Sequence, residues 1–243
     1  MADYLGVIIG GSIAFLSAFF MDYFRSRKQE KDVINNDIKK MYLDESIVPV
    51  RNELSYFGNI TLKVVNQARR DFHTLSNTKE LRDYIMNIKS RSDVQKVVGY
   101  EFAQAHAGVI HLYKLGDKIP WAIQYAFWWY SAFLGDLLNE KRMQEFLEED
   151  KSKELQESLM YLTQLLQSLR IWLEKKLFKL ESLLREKKYG SYEDFEKTIK
   201  SEEVAKVVDE ISALHKVYRN EEERRDKGEK WGQEMINYIN AHP

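Results

Sequence analysis

From Tyr4 to Met21 the chain runs for 18 residues without a charge, bounded by Asp3 and Asp22. This stretch, YLGVIIGGSIAFLSAFFM, constrains the chain more than any other. As an α-helix at about 1.5 Å per residue it covers roughly 27 Å, close to the ~30 Å hydrocarbon core of a bilayer. Tyr4 at one end, and Tyr23 and Phe24 at the other, are residues that sit well at headgroup level. Arg25, Arg27, Lys28 and Lys31 follow at once, whereas no Lys or Arg precedes the run. Basic flanks stay in the cytoplasm, so the expectation is a single-pass span in the cell (inner) membrane, N-terminus outside and the bulk of the chain cytoplasmic. A secretory signal peptide fits less well, because it needs a basic n-region and a shorter apolar run.

Within the run, Gly6, Gly10, Ala14 and Ala18 recur every fourth residue. That spacing lines small side chains along one helix face. In lipid, close backbone approach along such a ridge is what favours helix association, so these residues are expected to pack copies into a homo-oligomer.

The rest of the chain is strongly helical in character. Across 243 residues there are 3 Pro and 11 Gly, and no Cys. Without cysteine there are no disulfides and no thiolate chemistry, which suits a reducing compartment. From Arg25 onward the chain carries 37 basic against 38 − 2 = 36 acidic residues, a balance too even to point to nucleic acid as a partner. The expected fold is all-α. Residues 1–24 form a transmembrane anchor, 25–43 a polar helical stalk and 44–219 a cytosolic helical bundle. Residues 220–243 are a charged linker and a short amphipathic C-terminal helix.

Asp44 or Ser46 offers an N-cap for the first bundle helix, with Pro49 in its first turn. Gly58-Asn59 is a point where that helix could break. Ile119–Leu134 (IPWAIQYAFWWYSAFL) has no charge and holds Trp121, Trp128 and Trp129. A helix apolar on every side is buried on every side, which makes this segment the central core helix, an aromatic docking surface for another copy, or a helix lying at the membrane interface, where Trp and Tyr are enriched. From Glu140 to Lys188 neither Pro nor Gly occurs. Leu155, Leu159, Leu162, Leu166, Leu169, Leu173, Leu177, Leu180 and Leu184 form a near-heptad seam, the mark of a long bundle helix or a coiled coil. Trp172 and Phe178 lie beside the seam and widen it, favouring the bundle. Gly190 is the expected stop of that helix, and Ser191 with Asp194 makes a capping box for the next.

Motifs that carry chemistry are missing from the sequence. The five histidines, His73, His106, His111, His215 and His242, form neither HExxH nor Glu-x-x-His pairs. No phosphate-binding glycine loop and no serine nucleophile elbow occurs. Helical ribonucleases of the HEPN type carry Arg, four to six residues, then His; no histidine here has Arg at those offsets, so that resemblance fails at its defining motif. A basic bias between Arg51 and Lys96 reads as a solvated helix surface. No enzyme activity, cofactor or metal is therefore expected. The partners expected are the lipid bilayer, further copies of the chain, and a protein partner through the bundle.

The layout resembles the single-span effectors of prokaryotic antiviral defence, in which a cytosolic sensing domain acts on the membrane. The resemblance is one of architecture alone and carries no residues with it. It implies a gated, membrane-perturbing pore as one form of the function. Two other classes fit the same sequence: a ligand- or RNA-sensing membrane protein or enzyme with a site assembled from dispersed helix residues, and a structural subunit of a larger membrane complex.

Overall fold

The computed structural model describes residues 2–75, 78–99, 112–141, 143–144, 152–218 and 236–243; within these, the side chains of 2–18, 73, 152–156, 158, 162 and 215–218 lie outside the description. All the regular structure among the described residues is helical. The elements are α1 (Ala2–Lys39), a π-helical segment (Lys40–Ile47), α2 (Val48–Asp71), α3 (Thr78–Lys89), α4 (Ser92–Val98), α5 (Ile119–Leu137), α6 (Ser152–Arg185), α7 (Tyr192–Ile199) and α8 (Glu202–Tyr218).

The first three elements form one unbroken helix. The flanking residues Lys39, Ile47 and Val48 all keep right-handed helical dihedrals. Ala2 to Asp71 therefore spans roughly 100 Å at about 1.5 Å per residue. The N-cap expected at Asp44 or Ser46 does not form. Pro49 has no N–H to give to the ladder and its ring crowds the preceding turn. The chain answers by widening to i→i+5 bonding over the turns before it, with the Val48 N–H donating to the Leu43 carbonyl. Asn59 and Gly58 do not interrupt α2 either. Gly58 is there for close approach, since a Cβ at that position would stand 2.6 Å from Arg170 Cδ and 3.3 Å from Tyr130 Oη.

Four helices close into a ring of neighbours: α2 packs on α6 and α5, and α8 packs on the same two. α4 lies against α5 and α2, α3 against α4, and α7 joins the end of α1 to α8. The leucine seam of α6 is consumed inside the chain. Leu159, Leu166, Leu169, Leu173, Leu177, Leu180 and Leu184 are all buried, and α6 makes its largest contact with α2. Phe178 departs from expectation: it is 62% exposed, because its neighbour Leu177 takes the core position. Leu155 and Leu162 have side chains outside the described residues.

α5 buries Ala122, Ile123, Ala126, Phe127, Tyr130 and Leu134, and the Phe57 and Phe127 rings meet edge to face at 5.0 Å. Burying a large apolar side chain contributes about 1.5–3 kcal/mol, so this face alone anchors α5 to its neighbours. The core reading of the aromatic segment holds for this face. The opposite face is less covered: Trp128 and Trp129 are half-buried and Trp121 is 37% exposed.

α6 ends at Arg185, five residues before Gly190. The capping box forms as expected. Ser191 Oγ accepts from the Asp194 N–H at 3.2 Å, and Asp194 Oδ2 accepts from the Gly190 N–H at 3.0 Å.

Among the described residues no helix is long and apolar enough to cross a membrane. Most of the uncharged run, residues 4–18, has its side chains outside the description, and with them the packing ridge of Gly6, Gly10, Ala14 and Ala18. The expected membrane span is not supported by the described residues.

Candidate functional site

The junction where the long helix enters the bundle gathers polar and aromatic contacts from α1, the π segment, α2, α6 and α7. It forms because the polar face of α1 gains apolar residues one by one as it nears the π segment. Arg25 to Asp32 are exposed, Ile34 and Asn35 are half-buried, and Ile38, Tyr42, Leu43 and Ile47 are at most 2% exposed. Asn35 Oδ1 accepts from the Tyr189 N–H at 3.1 Å, and a Cβ on Gly190 would lie 3.6 Å from Lys31 Cδ. Tyr42 stacks on Phe195 with ring centroids 4.3 Å apart, and Tyr189 meets the same ring edge to face at 5.4 Å. The α6–α7 turn thus grips the long helix just above the π segment.

Burial pushes the Tyr189 hydroxyl up to about 12. That hydroxyl donates to the Leu184 carbonyl at 2.7 Å, satisfying one of the carbonyls left over at the end of α6.

On the other side of the junction an ion-pair chain ties the π segment and α2 to α6. Arg185 Nη2 donates to Asp44 Oδ1 at 2.9 Å and to Glu181 Oε1 at 3.2 Å, while Glu181 Oε2 takes the Arg51 guanidinium. These carboxylates raise the pKa of Arg185, the Asp44 hydrogen bond most of all. Exposed pairs of this kind are worth about 0–1 kcal/mol each; a linked set with half-buried Arg51 and Glu181 does more to fix geometry. Asp44 is thus an α6 contact and Ser46, fully buried, bonds the Met41 carbonyl.

A second polar cluster lies between α2, α5 and α6. Arg170 Nη1 donates to Asn59 Oδ1 at 2.6 Å and pairs with Glu174 at 3.8 Å. Tyr130, fully buried, has its hydroxyl pKa raised, first by burial. Tyr130 Oη and Thr61 Oγ1 are buried without a hydrogen-bond partner among the described residues. The cluster cross-braces three helices but offers no exposed nucleophile.

The residues singled out from sequence are spread along the chain. Arg25, Arg27 and Lys28 are exposed on α1, with the Arg27 guanidinium 5.1 Å from the Tyr23 ring. The exposed ring of Phe19, Phe20, Met21 and Phe24 precedes them. In the basic stretch of α2–α4, Arg51 pairs with Glu181, Arg82 with Glu140 at 3.8 Å, and Arg91 with Asp93 at 2.7 Å. Among the described residues no group of His, Asp or Glu could hold a metal ion. Sequence reasoning missed the junction. Its available signal was Pro49, standing in a stretch with no glycine upstream as far back as Gly11.

The fold defines an all-α bundle built on one long N-terminal helix. No family model, curated protein or solved structure matches the chain.

Proposed function

We propose that the chain is a single-pass, membrane-anchored, non-enzymatic scaffold or effector that works as a homo-oligomer, with its bundle on the cytoplasmic side. The observation that carries this reading is the unbroken helix from Ala2 to Asp71, which joins the uncharged run to the bundle core with no linker between them. A protein that merely tethered a domain to a membrane would have no use for a rigid joint. A rigid helix, gripped by Tyr189, Phe195 and Arg185, couples bundle position to span orientation. The exposed ring at Phe19–Phe24, followed by Arg25, Arg27 and Lys28, supports a boundary between acyl chains and anionic headgroups there. In the conducting form of this function, the middle of a pore lined by Ile8, Ile9, Ser12, Phe15, Leu16 and Phe19 is almost wholly apolar and closed at rest.

A reporter fused after Pro243 tests the topology: activity only inside the cell supports the reading, and activity outside reverses it. Gly10→Leu tests the assembly. A bulky side chain on the small-residue ridge should shrink the particles extracted in mild detergent. Unchanged particle size would move the contact to the bundle.

The half-buried Trp128 and Trp129 with exposed Trp121 favour a second reading, in which the bundle docks on another subunit of a membrane complex. Co-extraction of a stoichiometric partner would select it.

A further inference from the structure

The groove between α6 and α8 holds the segment 236–243 by contacts unlike the rest of the core. Trp172 Nε1 donates to the His242 main-chain oxygen at 2.6 Å. Lys176 Nζ donates to the Pro243 main-chain oxygen at 2.8 Å and pairs with Glu210 Oε2 at 2.7 Å. Tyr238 Oη donates to the Glu210 carbonyl at 2.6 Å, and its ring meets Trp172 edge to face at 5.8 Å. Lys176 is only 4% exposed and Trp172 only 3%. A lysine so deeply buried is tolerable only when its charge is paired and its protons are donated, and the segment supplies one of those two acceptors.

The hydrogen bonds from Trp172 and Lys176 both end on main-chain oxygens of the segment. Residues 236–241 are helical, so these acceptors are oxygens just beyond a helix end, left without a partner inside the helix and satisfied by donors of the groove. Asn220–Lys230 (NEEERRDKGEK), between α8 and the segment, holds no apolar residue, and 9 of its 11 residues are charged. Residence of the segment in its groove therefore depends on the groove contacts themselves. The same contacts are offered to the segment of any other copy, and the choice between them depends on effective concentration.

We infer that the Trp172–Lys176–Glu210 groove is a peptide-binding site whose ligand is the C-terminal segment of this chain, exchanged with the segment of a second copy when copies assemble. Such exchange of an identical element is a low-cost way to link protomers. The inference deepens the oligomeric part of the proposed function and rests on it for its setting; binding of a free peptide needs neither membrane nor oligomer, so the two can fail separately.

The test uses the full chain in detergent and a synthetic peptide of residues 234–243, labelled at its N-terminus and monitored by fluorescence anisotropy. A chain carrying Tyr238→Ala and Ile239→Ala vacates its own groove and should bind the peptide at least tenfold more tightly than the parent chain does. A peptide carrying Tyr238→Ala should bind that same chain at least tenfold more weakly, a control that leaves the protein untouched. Adding Lys176→Gln to the chain should abolish binding. Equal binding by parent and double variant would overturn the inference. So would absence of binding by a double variant that keeps the parent's far-ultraviolet circular dichroism.

Discussion

Ser46 Oγ donates to the main-chain carbonyl of Met41, five residues earlier, at 2.6 Å. The distance in sequence is that of the π ladder, so this bond reinforces the widened turns that let the long helix pass Pro49. Ser46 is fully buried. Ser46→Ala removes the donor and leaves the Met41 carbonyl with one partner fewer. The expected loss is about 0.5–1.5 kcal/mol in unfolding free energy, read from denaturant titration of the detergent-solubilised chain. A loss near zero would mean that the π segment holds its form without the side chain.

Lys176 and Glu210 are 4% and 12% exposed as side chains, and their charged atoms are 2.7 Å apart. Removing one member of such a pair leaves an uncompensated charge, so Lys176→Met alone should destabilise by about 3–5 kcal/mol. Replacing both by Met and Leu removes the charge and its partner together. The double variant should recover most of the loss, and the two single effects should sum to well above the double. Additive losses would show that the pair is not energetically coupled.

The parts of the fold that could be read from sequence are those with a period. The leucine spacing of α6 and the Ser191–Asp194 box each state their own geometry. Both appear among the described residues. The junction has no period of its own. Asp44 and Ser46 have N-cap chemistry, and nothing local distinguishes a serine that caps a helix from one that bonds back along a continuous one. In the structure the helix is continuous and Asp44 pairs with Arg185 of α6. Gly58 presents the same problem: in sequence it is a helix breaker, and only Arg170, 112 residues on, shows that it makes room. The C-terminal groove was legible as an amphipathic tail that could dock, but not as a lysine site, because Lys176 reads as an ordinary charged residue among leucines.

Alkaline stability is set in part by two tyrosines. Burial raises the hydroxyls of Tyr189 and Tyr238 to about 12, above the value near 10 of an unfolded tyrosine; the Glu210 carboxylate adds to the effect at Tyr238. Between those values the unfolded chain has lost protons that the folded chain keeps, so stability falls as pH rises. The contribution is complete below about pH 10 and is lost as pH passes about 12. Denaturation midpoints measured across this alkaline range should decline, and Tyr189→Phe should flatten part of the decline. Phenolate absorbance should show these two groups titrating late. A midpoint that is level over this range would exclude the burial effect.

The long helix makes a prediction that depends on phase. Each residue added to an α-helix turns the downstream chain by about 100° and advances it by about 1.5 Å. Alanine insertions between Gln29 and Glu30, where the side chains are exposed and away from the grip of Tyr189, leave the run and the bundle intact. If the proposed oligomer is held both by the span and by the bundle, rotating one against the other should break it. Two inserted residues turn the bundle by about 200° and should cut the oligomer to its span-only size. Seven inserted residues make nearly two full turns, about 700°, and should restore the parent size although they lengthen the helix by about 10 Å. Particle size after mild detergent extraction reads this directly. Recovery at seven but not at two would establish that the helix transmits orientation. Loss at both would show that length is what matters, and no loss at either would mean that the joint between span and bundle is slack.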